Sequence, residues 1–328
     1  MYNTNITVGI PVYNARNTLR DTLFSIAIQT IQPKEILIVD DCSTESYDDI
    51  LSLFDNIRYI RLDENVGVGI VRQHILKECR TKYLTMIDSD DIFLGALVLQ
   101  TFQQMINDNH EPDLIITNML QQTPDKGLNR ICDFSWCHGK VYNTEYLKAY
   151  DLTFNPTRTH EEGTLNWTMR DIGCRYIICN TYDTYLWRYN KDSLTHQNIN
   201  YLLTNYTDYI YGLYATYCNR VKFNSPVLLQ RTISDTVLAH SYLEGLRCIY
   251  GDTDEIINHT DTLVDFIKET NVADWFLQYP ESETIDLFGN NYSFADEYYT
   301  LKKLALDTLD KRIYLKEDIF SFIRRLCL

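Results

Sequence analysis

No stretch of this 328-residue chain approaches the roughly 18 consecutive apolar positions of a membrane-spanning helix. The first residues, Met1 to Val8, lack both a basic segment and a long apolar one, so no secretory leader is visible. The nine cysteines are an odd number and form no tight CxxC pair, which argues against a disulfide framework. Cys132/Cys137 and Cys174/Cys179 repeat a five-residue step and read as small buried hydrophobes rather than zinc ligands. Free thiols without a leader point to a reducing cytoplasm. Positive charge is also short, with 30 Lys and Arg against 45 Asp and Glu and a net charge of −15. That excludes broad non-specific attachment to nucleic acid or anionic lipid, while leaving room for a local basic pocket. Glycine is scarce (12) beside tyrosine (25). Tyrosine offers a flat apolar face with a polar tip, suited to polar ring-shaped ligands as well as to half-buried packing. What is present is a chain 45% hydrophobic and 13% aromatic, too apolar for disorder and long enough to bury a substantial core.

The first 120 residues alternate strand and helix signals. Ile6 to Ile10 is a β-rich run that Pro11 is expected to stop. Asn17 to Ile28 carries apolar residues at helical spacing, with Asn17 or Thr18 as a cap. Glu35 to Val39, Ile57 to Leu62, Tyr83 to Ile87 and Leu114 to Thr117 read as strands, and Gly69 to Glu78 and Leu94 to Asn107 as helices. Such alternation implies a doubly wound, mostly parallel sheet flanked by helices, in which ligands bind beyond the carboxyl ends of the strands. Residues 120–200 are less regular, with a loop from Thr123 to Asn129. Helical patterning follows, including a basic stretch within Leu301 to Leu326 that suits a solvated face, with contact to a membrane surface or a partner as the alternative. We expect an α/β catalytic domain over residues 1–205 and a mainly α-helical C-terminal domain over 206–328, covering an acceptor or forming a homodimer face.

Three of the apolar strands end in functional-looking residues: Pro11, Tyr13 and Asn14; Asp40 and Asp41; and Asp88, Ser89 and Asp90. Two carboxylates one residue apart present hard oxygen ligands to Mg²⁺ or Mn²⁺, which in turn bind phosphate. The same residues also suit a capped turn before a helix. Carboxylates crowded on one sheet edge repel each other unless cations neutralise them. Asn65 to Gly69 is glycine-rich ahead of a helix, and Arg72 lies one turn into it, a combination that suits phosphate.

Val8–Asn14 (VGIPVYN), Ile36–Ser43 (ILIVDDCS), Asn65–Gly67 with Arg72, and Met86–Asp91 (MIDSDD) occur in this order. Together they resemble the family 2 glycosyltransferases of the GT-A fold, closely over residues 5–120 and more loosely to about 200. The resemblance implies a Rossmann-like GT-A sheet and an inverting transferase that uses a nucleotide-diphosphate sugar, by family habit a UDP-sugar, with Mn²⁺ or Mg²⁺. Carried over by motif, Pro11, Tyr13 and Asn14 would line the nucleoside pocket. Asp41, with Asp40 beside it, would contact the base or ribose, and Asn65, Gly67 and Arg72 would lie near the nucleotide. Asp88 and Ser89 would lie by the ribose or sugar, and Asp90 would bind the cation. The family's Glu-Asp base pair is matched here by Glu161-Glu162, a departure that lengthens the second arm by a methylene; Glu162 is the expected base and Glu161 the fallback. Both also suit a helix N-terminus on structural grounds alone.

The segment Trp136 to Tyr142 resembles a stretch between the metal motif and the base in bacterial members, so Trp136, His138 and Lys140 are expected near the sugar or acceptor. His138 is as readily a structural histidine. Arg188 is expected to neutralise phosphate and His196 to complete the metal shell. The implied acceptor is a bacterial surface glycan; alternatives are a phage-type transferase acting on a modified DNA base, in the host cytoplasm, and a non-catalytic nucleotide-sugar-binding module. The implied location is cytoplasmic, with a peripheral membrane position as a variant.

Overall fold

The computed structural model describes residues 4–190, 203 and 205–272. His196 and the stretch Leu301 to Leu326 lie outside the described residues. The chain divides into two compact units, Met1–Gln197 and Asn198–Leu328.

In the first unit, β1 (Ile6–Val12), α1 (Arg16–Ala27), β2 (Glu35–Asp40), α2 (Asp48–Leu51), β3 (Ile57–Arg61), α3 (Val68–Glu78) and β4 (Tyr83–Met86) wind a parallel sheet of order β3-β2-β1-β4. The chain continues through β5 (Ile92–Phe93), α4 (Val98–Asp108), β6 (Leu114–Gln122), β7 (Leu128–Ile131), β8 (Lys140–Asn143), α5 (Thr144–Ala149), α6 (Glu161–Asp171) and β9 (Tyr176–Trp187). The sheet extends as β4-β8-β6-β9-β5, with β7 paired to the far half of β6. Because β8 runs antiparallel to both β4 and β6, parallel order ends at β4; of the eight described ladders, four are parallel and four antiparallel. The expected loop from Thr123 to Asn129 is the turn of the β6–β7 hairpin, and β7 already begins at Leu128.

Pro11 does not stop β1. The strand runs to Val12, with Pro11 opposite Val39. In this ladder Gly9 O faces β4 and accepts Ile87 N, whereas Val12 O faces β2 and accepts Asp41 N. Alternation therefore aims the nitrogen of Pro11 towards β4, past the last β1–β4 pair at Gly9 and Met86, where no ladder partner waits. The α1 helix begins at Arg16, and neither Asn17 nor Thr18 caps it. Its first N–H groups are met from α2 and the loop before it: Ala15 N donates to Tyr47 Oη (2.9 Å) and Arg16 N to Glu45 Oε2 (3.2 Å).

The core sits between β1, β2 and β4, buried along their length, and the helix stripes laid on them. Leu19, Leu23 and Ile26 of α1 are fully buried at three- and four-residue spacing, each contributing about 2 kcal/mol of apolar burial. On the other face α3 lies so close to β1 that a Cβ on Gly9 would stand 2.4 Å from Ile75 Cγ2. The described part of the second unit consists of α7 (Tyr206–Lys222), α8 (Leu228–Tyr250) and α9 (Asp254–Glu269), packed pairwise over Ile210, Leu213, Ile233, Leu243, Leu263 and Phe266. A buried Arg220–Asp235 ion pair (2.6 Å) joins α7 to α8. Among the described residues no helix is long and apolar enough to cross a membrane.

Candidate active site

The carboxyl ends of β1, β2 and β4 lie side by side, because parallel neighbours end on the same rim. At the end of β1, Tyr13 is 52% exposed and Asn14 takes a left-handed turn (φ 47°), its Oδ1 accepting Thr44 N (2.9 Å). At the end of β2, Asp40 is fully enclosed. It accepts Ser43 N (3.0 Å), Ser43 Oγ and Tyr59 Oη, with Arg61 Nη1 at 3.6 Å. The expected contact of Asp40 with a base or ribose is therefore closed in this structure; the carboxylate fixes the rim loop instead. Asp41 is also buried and receives Val66 N (2.7 Å) and Gly67 N (2.9 Å), one on each oxygen. Gly67, at φ 90°, supplies the conformation that turns both amides onto one carboxylate. Asn65 Nδ2 closes the loop on Asp41 O, and Arg158 Nη2 donates to Asn65 Oδ1 (3.0 Å).

Arg72 lies on the buried stripe of α3 with Gly69, Val71 and Ile75. It does not reach out towards a nucleotide. Its Nη2 donates to Asp88 Oδ1 (2.7 Å), its Nη1 donates to Glu161 Oε1, and Glu162 Oε2 stands 3.6 Å from Nη1. One guanidinium thus joins the end of β4 to the first turn of α6. Both glutamates are buried there, at the positive end of the helix dipole. Burial opposes ionisation of Asp88, yet Arg72 and His138 hold its carboxyl well below the usual carboxylate range. Burial likewise opposes charge on His138, but Cys137 and Asp88 raise its proton affinity well above that of a free imidazole; Nε2 lies 3.0 Å from Asp88 Oδ2.

The rest of the β4 end is bound differently. Asp91 is buried and accepts Tyr185 Oη (2.6 Å) and Arg188 N (2.8 Å), and its carboxyl is pushed well upward by burial and by Asp90. Thr22 of α1 pins the turn by donating to Ser89 O and Asp91 O. Asp90 is partly exposed, accepts Asn190 Nδ2 (3.0 Å), and is raised by burial and by Asp88. Asp88, Asp91 and His138 offer ligand atoms within 4.8 Å of one another. Their lone pairs, however, already serve Arg72, Tyr185 and Arg188. Asp90 is partly exposed and meets no ion-pair partner among the described residues, and a hard divalent cation fits that donor chemistry, with Asp88 and Asp91 behind it.

Of the remaining sequence-derived residues, Pro11 is buried inside β1 and Ser89 is partly exposed in the turn. Lys140 does not reach a sugar. It is 1% exposed, its Nζ donates to Trp136 O, and burial drives its pKa down to about 8. Trp136 and Trp187 are partly exposed and tilt against each other at 5.1 Å. Arg188 is braced by Asp90 O and by Asp21 Oδ2 (3.0 Å), so its guanidinium lies at the β4 end. Sequence reasoning singled out neither Asp91 nor the pairing of Arg72 with Glu161. The first had a signal in the third acid of the MIDSDD run. The second had one in an arginine placed on an otherwise apolar helix stripe.

Three comparisons bear on this geometry. The model of "Glycosyl transferase family 2" matches residues 7–172, just over half of the chain. Among curated proteins, the glycosyltransferase GlyA of Streptococcus pneumoniae is 23% identical over 96% of this chain and 48% of its own length. The putative teichuronic acid biosynthesis glycosyltransferase TuaG of Bacillus subtilis is 37% identical over 26% of this chain and 36% of its own. The poly(ribitol-phosphate) beta-N-acetylglucosaminyltransferase TarS of Staphylococcus aureus is 28% identical over 45% and 29%. The match thus spans less than half the length of each of these relatives. Among solved structures, TarS 1–349 in complex with UDP-GlcNAc superposes with a TM-score of 0.66 at 17% identity, covering 91% of this chain and 90% of that one, which shows a shared fold. On the family match, over the residues that build the rim and the Arg72 hub, this chain belongs to glycosyl transferase family 2 and carries its GT-A fold.

Proposed function

We propose that the protein is an inverting glycosyltransferase that moves a sugar from a UDP-sugar to a hydroxyl of a bacterial surface glycan. The observation that carries this reading is the Arg72 hub, which holds the Glu161-Glu162 pair at a fixed place beside the Asp88–Asp91 strand end. A single displacement needs that juxtaposition. The acceptor oxygen attacks the anomeric carbon, the bond from that carbon to the β-phosphate oxygen breaks on the opposite face, and the acceptor proton passes to a carboxylate. Glu162 is the base, because Glu161 is committed to direct contact with Arg72 whereas Glu162 stands off at 3.6 Å. Tyr13, exposed at the end of β1, would lie against the base of the nucleotide, and Arg188 would face the diphosphate. A divalent cation at Asp90 would supply Lewis-acid stabilisation of the departing diphosphate. The UDP-sugar is favoured by the fold shared with a UDP-GlcNAc complex, and the surface glycan by the names of the teichuronic acid and poly(ribitol-phosphate) relatives.

The test is a thermal-shift panel of nucleotide sugars with and without Mn²⁺, followed by mass spectrometry of the products. A UDP-sugar should raise the midpoint by mass action, more with Mn²⁺, and should then be consumed to UDP. Stabilisation by no nucleotide sugar, or transfer of a nucleoside monophosphate in place of the sugar, would overturn the reading.

A further inference from the structure

Four rings form one contiguous cluster between the core and the site, some pairs near parallel and some tilted. Tyr185 is fully buried and hydrogen-bonded to Asp91. His138 lies on it with centroids 4.6 Å apart. Trp187 and Trp136 follow, at 5.7 and 6.3 Å from the imidazole, the latter parallel to it within 6°. Tyr185 and His138 are buried and the two indoles are partly exposed, so the cluster ends in a tilted tryptophan pair.

The backbone at both tryptophans is tied to elements of the site. Trp136 O accepts Asn166 Nδ2 (3.1 Å), and Asn166 lies four residues, about one turn, beyond Glu162 on α6. Trp187 is followed directly by Arg188, whose N–H donates to Asp91 and whose Nε donates to Asp90 O. The pair therefore spans from the base helix to the acidic strand end, the interval in which an acceptor hydroxyl must be presented.

We propose that Trp136 and Trp187 form a stacking wall for a pyranosyl ring of the acceptor, and that the acceptor is accordingly a ring-form saccharide. This rests on the glycosyl-transfer reading. Indole faces carry negative charge density and take the weakly positive C–H face of a pyranose, leaving its hydroxyls to the polar rim. Lys140 lies below the wall with its ammonium on Trp136 O, so its own charge is not presented to the wall. An open-chain polyol has no flat C–H face to offer.

The experiment uses the full chain and a UDP-sugar that it turns over, with donor hydrolysis by water as the internal reference. Methyl pyranosides and open-chain alditols are added as alternative acceptors. The wild type should glycosylate the pyranosides at least about tenfold better than the alditols. Trp136→Leu and Trp187→Leu should each raise the pyranoside KM about five- to tenfold, a larger change than in the rate of donor hydrolysis, and Trp→Phe should restore most of the loss. Equal use of alditols, an unchanged KM in both leucine variants, or donor hydrolysis with no pyranoside captured would each overturn the proposal. If a leucine variant fails to fold, the wild-type comparison and the phenylalanine variant still decide. Absence of any donor turnover would instead sink the transferase reading itself.

Discussion

An arginine on the buried stripe of a helix persists only if carboxylates meet it, and Arg72 is met by Asp88 and Glu161. Removing the cation while keeping the volume, as in Arg72→Met, leaves buried carboxylates facing each other and should cost about 3–5 kcal/mol in urea unfolding. The two neighbouring glutamates should separate cleanly by readout. Glu161→Gln weakens the ion pair with Arg72 and should lower the unfolding midpoint. Glu162→Gln preserves shape and should leave both the midpoint and UDP binding in place while kcat falls about 10²- to 10⁴-fold. A Glu162→Gln enzyme with wild-type kcat would remove the base assignment. At this scale the sequence exposed residue types but not their partners. Asp40, Asp41 and Asp88 were legible because each follows an apolar strand. That Asp40 is spent on Ser43 and Tyr59, and that Arg72 faces carboxylates instead of phosphate, depends on residues 3 to 89 positions away in the chain.

The elements position those side chains by close approach, most tightly where α3 meets the segment leading into α6. A Cβ on Gly69 would lie 2.1 Å from Asn155 O and 2.5 Å from Thr157 O, both backbone atoms that cannot rotate away. Gly69→Ala should therefore push the 155–157 segment off α3, lowering stability by about 1–3 kcal/mol and activity along with it. Gly9→Ala meets the side chain of Ile75 and should cost less. Thermal unfolding and initial rates on the two variants check the order, and a Gly69→Ala protein as active and stable as the wild type would contradict it. The elements legible in the sequence were those with strong periodicity, β1 to β4 and α1, α3 and α4 among them. β9 escaped because its polar run Asn180 to Asp183 spans the irregularity in its pairing with β6, and much of that stretch is exposed, so neither face alternates. β8 escaped because it is short and carries Lys140, which reads as a surface residue until the fold buries it.

For the molecule as a whole, 25 tyrosines and a net charge of −15 set a limit on the alkaline side. Tyr83 at the start of β4 is almost wholly buried, donates to Pro112 O, and is pushed up to about 12, by burial first and then by Glu111 and Asp113. Tyr242 in the second unit is likewise pushed up to about 12, by burial and then by Tyr250. In the unfolded chain each phenol loses its proton near the ordinary value of 10, whereas in the folded units it is retained to about 12. Between those values the unfolded state binds fewer protons than the native one, so stability falls as pH rises. The urea midpoint should be flat below pH 10 as far as these groups are concerned and should drop from there towards 12. Tyr83→Phe should make the drop shallower for the first unit and leave that of the second, and Tyr242→Phe should do the reverse. Unfolding followed by far-ultraviolet circular dichroism, with tyrosinate absorbance read in parallel, checks both. A midpoint that falls equally in wild type and in both variants would assign the alkaline limit to groups other than these two phenols.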